Sequence, residues 1–310
     1  MRILYLGGYP RSGSTLLSRV LGEPDRSICV GETRYLWGRG LVHNVSCGCG
    51  EPFLSCAFWG AVGEEAFGGW GNVDARRMEQ LDTFTNLPQR LPLHAAPGLR
   101  RGMSARIDEY VPVLERLYRA IGKVSGAELI VEMSKDPTFA WLLRRIDGSD
   151  VRVVHLVRDS RAVAYSWTRT RRMPSPIGEQ QFMPRSTPTE TAVRWLAWNG
   201  GFHMLRAAGF PYLKLRYESF VDEPELALRR LGEFAGTSLL PADSRLRERQ
   251  VNLGSHHIFS GNPMRTRSGW VEIDGDDEWR TGLPDAERTK VTALTAPLLA
   301  AYGYRFTRSG

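Results

Sequence analysis

The stretch that decides the fold is Gly7-Gly8-Tyr9-Pro10-Arg11-Ser12-Gly13-Ser14-Thr15-Leu16-Leu17, "GGYPRSGSTLL". It follows the apolar run "RILYL" and opens the amphipathic run "STLLSRVLGE". A strand, a glycine-rich turn and a helix in that order make a phosphate-binding loop, G-x-x-x-x-G-K-[ST]. Gly8, Gly13 and Thr15 are in register, but Ser14 occupies the lysine position and Arg11 sits inside the turn. In kinases and nucleotidases that lysine reaches the β- and γ-phosphates, and the hydroxyl after it holds Mg²⁺. Amides at a helix N-terminus bind an anion with or without the lysine. The loop therefore fits a single 5′-phosphate, held by the amides, Arg11, Ser14 and Thr15, better than a triphosphate with its metal. A glycine-rich turn that carries no ligand is the plainer alternative.

Outward from the loop, short apolar runs alternate with helical patterns, which predicts an α/β fold. The expectation is one domain over residues 1–310, a P-loop-type parallel sheet flanked by helices. Strands are expected at "RILYLGG", "SICVGE", "AELIVEMSKD", "VRVVHLVRD" and "YLKLRYESF". Helices are expected after the loop, in "PTFAWLLRRI" and "SRAVAYSWTR", and over about 76–122, 189–208, 224–235 and 284–301. Residues 38–75 are rich in Gly, Trp and Cys and show no clear period, while 172–189 and 253–270 read as loops. Segments 38–120 and 168–190 have the character of insertions on the sheet. Arg169, Arg171, Arg172 and Arg185 make the second one basic, either as a solvated loop or as a lid.

The formal charge of +7 suits an anionic ligand, although many enzymes are mildly basic. No run of 18 apolar residues occurs, and "MRILYLGGYP" leads straight into the loop. A cytoplasmic protein without a membrane span is the resulting expectation. Lysine is scarce, at Lys123, Lys135, Lys214 and Lys290, which reads as codon bias of a GC-rich genome and makes a lysine in a motif conspicuous. The cysteines are Cys29, Cys47, Cys49 and Cys56. His43, Cys47, Cys49 and Cys56 could supply four zinc ligands, but C-x-C is not the usual C-x₂-C spacing. Small buried thiols beside Phe53, Phe58 and Trp59 are the simpler reading.

A second constellation is "LVRDSRAVAYSW", which puts Arg158 at the end of a buried strand and Ser166 two turns into the next helix. Ligands of open α/β sheets bind at the carboxyl ends of strands, and arginine is the residue for charge-assisted bonds to phosphate. Two phosphate sites on one sheet suggest a nucleotide phosphorylated at both its 5′ and 3′ positions. A structural ion pair of Arg158 is the alternative.

With these residues in hand, the sequence resembles the sulfotransferases that use 3′-phosphoadenosine 5′-phosphosulfate (PAPS). "YPRSGSTLL" is similar to their 5′-phosphosulfate loop over Arg11, Ser12, Gly13, Ser14 and Thr15. "LVRDSRAVAYS" is similar to their 3′-phosphate motif, with Arg158 and Ser166 in place. "VGETR" resembles a stretch of the tyrosylprotein branch in which the glutamate, here Glu32, is the catalytic base. "MSKDPTF" matches the lysine-bearing strand end of that branch. "LRYESF" and "SGNPMR" resemble segments near the nucleotide, with Tyr217, Asn262 and Arg265 as contacts. "CGCGEPFLSCAFW" and "YGYRF" also recur in bacterial members. The resemblance implies sulfuryl transfer from PAPS, leaving PAP, to a hydroxyl of a small molecule, sugar or natural product. It implies no metal requirement, nucleic-acid partner or membrane partner.

In that scheme Glu32 takes the acceptor proton, while Lys135 and Arg11 stabilise the leaving 5′-phosphate. Read without the resemblance, the alternatives are that Glu32 caps a helix or pairs with Arg34, and that Lys135 is a surface lysine. His155 reads as a core histidine, and His256 or His257 could line an acceptor cleft. Trp37, Trp167, Trp195 and Trp198 could frame an acceptor, although Trp195 and Trp198 at helical spacing suit a core. A P-loop kinase, or a basic nucleotide-binding module without catalysis, remains the alternative class.

Overall fold

The computed structural model describes residues 1–95, 103–170, 172–173, 181–242, 245–275 and 277–305. In chain order, β1 (Arg2–Gly7) leads through the glycine-rich loop into α1 (Ser14–Leu21) and β2 (Ser27–Gly31). The first long connection carries α2 (Ala57–Phe67), α3 (Ala75–Thr85), α4 (Leu91–Ala95) and α5 (Ser104–Ser125). Then come β3 (Leu129–Lys135), α6 (Pro137–Leu143), β4 (Asp150–Val157) and α7 (Ser160–Thr168). A two-residue-per-strand ribbon, β5 (Arg172–Met173) with β6 (Gln181–Phe182), precedes α8 (Pro188–Ala207), β7 (Tyr212–Arg216), α9 (Tyr217–Asp222) and α10 (Pro224–Ala235). The chain ends in β8 (Leu246–Arg247), β9 (Gln250–Leu253), β10 (Gly269–Glu272), α11 (Trp279–Gly282) and α12 (Asp285–Ala301).

The central sheet has the order β2-β3-β1-β4-β7, and every neighbouring pair is parallel. The α/β fold with one parallel sheet flanked by helices is therefore the one the sequence implied. Strand alternation explains the two cores. Ile3 and Tyr5 face one side with Val30, Ile130 and Val153, under α2, α5 and α6. Leu4 and Leu6 face the other with Val131, Met133 and Leu156, under α1 and α10. A period of two along a strand buried on both faces forces this division.

Three expectations need correction. The segment "YLKLRYESF" is a strand only to Arg216; Tyr217 starts α9, so that tyrosine lies just past the strand. Residues 253–270 are not simply loop at their ends, because β9 pairs antiparallel with both β8 and β10 in a small second sheet. Residues 38–75 contain α2, whose Gly60 and Gly63 hid it by their poor helix propensity. Gly63 is needed where it stands: a Cβ there would lie 2.5 Å from the Trp70 indole. Arg171, in the basic segment, lies outside the described residues.

Sheet order decides where a ligand can sit. β1 bonds to β3 on one side and to β4 on the other, so successive crossovers depart to opposite sides of β1. That switch point leaves a crevice at the carboxyl end of β1, and the glycine-rich loop fills its floor. Gly8 has φ +138°, and a Cβ on it would meet the Leu156 carbonyl oxygen of β4 at 2.2 Å. Backbone atoms cannot yield there, so Gly8→Ala is expected to cost about 1–3 kcal/mol of stability. A urea midpoint indistinguishable from wild type would show that the loop is not clamped against β4.

Candidate functional site

Each of the five strands of the central sheet delivers one candidate group at its carboxyl end. β1 gives the loop, β2 gives Glu32, β3 ends on Lys135, β4 is followed by Arg158 and β7 by Tyr217. These converge on a cleft of about 610 Å³ whose wall also includes Gly13, Ser14, Thr15, Ser166 and Asn262. A cleft of that size lies within the range for small-ligand sites.

The loop turns at Gly13, which has φ +84° and ends the turn as the N-cap of α1. No side chain caps α1, so its first-turn amides face the cleft with the positive end of the helix dipole. Arg11 adopts φ +75°, unusual outside glycine, and its guanidinium donates to the Met183 thioether at 2.9 Å and lies 5.1 Å from the Trp167 ring. Ser12 turns away: its hydroxyl donates to the Tyr9 carbonyl at 2.7 Å, and its side chain is not part of the cleft wall.

Lys135 also has positive φ, +67°, at the point where β3 breaks toward Pro137. Its carbonyl accepts the Trp198 indole N–H at 2.7 Å, and its ammonium bonds the Glu32 Oε1. Two of the four described non-glycine residues with positive φ thus face this cleft, and backbone strain of this kind concentrates at functional sites. Glu32 Oε2 accepts from the Ser260 hydroxyl at 2.8 Å, and Ser260 in turn accepts from the Arg39 guanidinium at 2.8 Å. Burial is the largest influence on Glu32 and raises its pKa, but Lys135, Ser260 and Arg39 together outweigh it, so the carboxyl sits below its ordinary range.

The three ordinary alternatives for these residues fail on geometry. Glu32 makes no side-chain cap at the short helical turn it precedes. Arg34 is engaged elsewhere, with Asp82 at 3.0 Å and with Asp136. Lys135 is buried, not a surface lysine. Beneath the pair, fully buried Glu132 accepts from Thr33, from Tyr118 at 2.6 Å and from the Ser134 amide at 2.7 Å. Thr33 follows Glu32 and Ser134 precedes Lys135, so this network fixes the two strand ends against each other.

The Arg158 guanidinium donates to the Arg11 carbonyl of the loop at 3.1 Å and lies 4.8 Å over the Tyr217 ring. The same ring also packs on Gly13, where a Cβ would approach it to 2.1 Å. Tyr217 does not use its hydroxyl as a cleft-facing donor; it donates to the Asp274 carbonyl at 3.0 Å. Asn262 accepts from the Met264 amide at 3.1 Å and so shapes its turn. Arg265 is not on the cleft wall and donates to the Ser46 carbonyl at 3.0 Å; the arginine that this segment contributes to the wall is Arg267. Trp167 and Trp198 line the cleft, whereas Trp37 and Trp195 are core. His155 is a core histidine, stacked on Phe202 and bonded to Asn199 at 2.7 Å; burial depresses its pKa to about 3.

Sequence reasoning missed Tyr35, Arg39, Ser134, Ser260 and Arg267. Arg39 reaches Ser260 because residues 36–42 wind as a π-helix, which no pattern of apolar residues announces. It missed the metal-ligand geometry too. His43 is exposed, and the residue that joins Cys47, Cys49 and Cys56 is His257, with neither His256 nor His257 on the cleft wall.

Residues 4–241 match the sequence profile of the sulfotransferase family. The chain belongs to that family. Human carbohydrate sulfotransferase 6 is 28% identical over 175 residues, half of this chain and 42% of the human protein, so the chain matches under half of that relative's length. The sulfotransferase domain of the Synechococcus PCC 7002 olefin synthase superposes over 99% of this chain and 96% of its own, with TM-score 0.51 at 18% identity. The sulfotransferase domain of the curacin biosynthetic pathway does so over 98% of each chain, with TM-score 0.53 at 19% identity. No helix among the described residues is long and apolar enough to cross a membrane.

The Glu32–Lys135 pair has a pH signature. A carboxyl whose folded pKa lies below its unfolded value of about 4.5 contributes stability that is complete above that value and is lost as pH falls through the folded pKa. The stability difference between wild type and Glu32→Gln, read from urea midpoints, should hold steady from about pH 8 to about pH 6 and shrink below about pH 4.5. A difference that persists unchanged into acid would show that Glu32 is not ionised in the folded chain.

Proposed function

We propose that this protein transfers a sulfuryl group from PAPS to a hydroxyl of a small-molecule, sugar or natural-product acceptor, with Glu32 as general base. The observation that carries the reading is the buried carboxylate–ammonium pair standing beside a phosphate loop without its usual lysine. Lys135 supplies from β3 the positive charge that Ser14 cannot supply from the loop. Family membership supports the reaction type, and the names of the similar proteins support sugar and natural-product acceptors.

The donor brings an S–O bond whose cleavage leaves charge on the 5′-phosphate. First-turn amides of α1 with Ser14 and Thr15 hold that phosphate, and Arg11 and Lys135 stabilise the charge it gains. Glu32 accepts the proton from the acceptor hydroxyl as the oxygen attacks sulfur in line. Without donor, Lys135 and Ser260 occupy both carboxylate oxygens. Donor binding draws the Lys135 ammonium toward the phosphosulfate, which frees one oxygen and raises the proton affinity of Glu32 toward what a base needs. Arg158, which lies over the Tyr217 ring, and Ser166 take the 3′-phosphate. Residues 38–120 and 168–190 form the acceptor side of a single domain spanning 1–310. Arg39, Met183 and Pro184 on the cleft wall support that assignment.

Glu32→Gln should keep affinity for PAP and lower kcat by about 10²-fold or more, and Lys135→Ala should lose about 10²–10³-fold in rate. Turnover should persist in excess EDTA during short assays. Near-normal turnover of the Glu32 variant would remove it from the mechanism, and a strict Mg²⁺ requirement would point to a kinase.

Donor choice is tested separately. A charge-assisted arginine–phosphate contact is worth about 1.5–3 kcal/mol, or about 10- to 150-fold in affinity. Arg158→Ala should weaken PAP by about that factor and leave 5′-AMP nearly unchanged, with Ser166→Ala showing a smaller loss in the same direction. Calorimetry showing equal losses for both nucleotides in a folded variant would separate Arg158 from the 3′-phosphate.

A further inference from the structure

Away from the cleft, three cysteines and a histidine from distant parts of the chain turn their ligand atoms toward one point. The Sγ atoms of Cys47, Cys49 and Cys56 and a ring nitrogen of His257 all lie within 4.8 Å of one another. Among the described residues no other group of His, Cys, Asp and Glu converges in this way. Cys49 and Cys56 sulfurs are 3.6 Å apart, and the His257 Nδ1 is 3.3 Å from the Cys56 sulfur and 3.9 Å from that of Cys47. Tetrahedral zinc, with bonds of about 2.3 Å to sulfur and about 2.0 Å to nitrogen, holds its ligands about 3.5–3.8 Å apart.

The surroundings are built for such an ion. Cys47 and Cys49 sit on a tight turn closed by the Cys47 amide on the Glu51 carbonyl at 2.7 Å, with Gly50 at φ +98°. Cys56 is the N-cap of α2, where the helix dipole favours a thiolate. The His257 ring stacks on Phe58 at 4.7 Å, and its carbonyl accepts the Trp59 indole at 2.8 Å, so both ring and backbone are oriented. Gly48 leaves room for His256, whose ring a Cβ there would meet at 2.0 Å. The positive charge of Arg265 is anchored on Ser46, next to Cys47, where three thiolates around one dication leave excess negative charge.

We propose that Cys47, Cys49, Cys56 and His257 form a closed, structural zinc site that fastens the 256–265 segment to the turn at 47–56. Four protein ligands leave no position for substrate, so the ion holds structure and takes no part in chemistry. What it holds is specific: three residues after His257 comes Ser260, which bonds Glu32. The fastening does not depend on which reaction the cleft performs.

Metal analysis of protein purified from zinc-supplemented medium under reducing conditions should find about one zinc per chain. Cys47→Ser, Cys56→Ser and His257→Ala should each fall below about a tenth of that, while His257→Cys restores it. Reduced protein loaded with Co²⁺ should show the strong visible bands of tetrahedral thiolate-bound cobalt. Should the serine variants fail to fold, the metal content of wild type and His257→Cys and the cobalt spectrum decide the matter. Metal-free wild type that gives no cobalt spectrum would overturn the site. So would a Cys49–Cys56 disulfide in freshly isolated, zinc-free protein, or zinc undiminished in His257→Ala and in the serine variants.

Discussion

A buried carboxylate and a buried ammonium, Glu32 and Lys135, are the pair around which this protein is arranged. Removing either charge from water is costly unless the partner and further hydrogen bonds compensate. Here the compensation comes from every side. Ser260 and Arg39 complete the carboxylate, Trp198 holds the lysine carbonyl, and the Glu132 network ties Thr33 to Ser134. Parallel pairing of β2 with β3 brings the two strand ends side by side, and the left-handed backbone at Lys135 then turns the ammonium inward. The pair needs the sheet, and the crevice beside β1 takes its positive charge from Arg11, Arg39, Arg158 and Arg267 on its wall.

Much of this was legible in the sequence because parallel strands buried on both faces write themselves as unbroken apolar runs. "RILYL", "LIVEM" and "VRVVHLV" could be placed, and with them the residues that follow, since the carboxyl end of a strand is fixed once the strand is found. Glu32, Lys135 and Arg158 are of that kind. What stayed hidden depends on contacts between segments that no local pattern relates. Ser260 meets Glu32 across 228 positions, and His257 meets Cys56 across 201. Arg265 and Arg267 stand two residues apart on a short helical turn, and only tertiary packing decides which one reaches the cleft. Tyr217 was misplaced by its chemistry: tyrosine suits a strand, yet the β7 run stops one residue earlier.

The segment from His256 to Arg267 shows how a surface connection becomes part of a binding site. Its aromatic residue Phe259 is buried against Phe53 and Trp59, and its backbone carbonyls at Arg265 and Arg267 accept the buried Arg19 guanidinium from α1 at 3.0 and 2.9 Å. Arg19 belongs to the helix that begins at the phosphate loop. The same short segment therefore braces the loop's helix on one side and the carboxylate on the other. Loops carry function when a rigid scaffold fixes them, and here the scaffold reaches the segment from three separate parts of the chain.

The ring of Tyr217 packs on Gly13 of the loop and also carries the guanidinium that follows β4. A group that displaces this ring at the loop would be felt at Arg158, and any coupling between the two places that runs through the ring would be reciprocal.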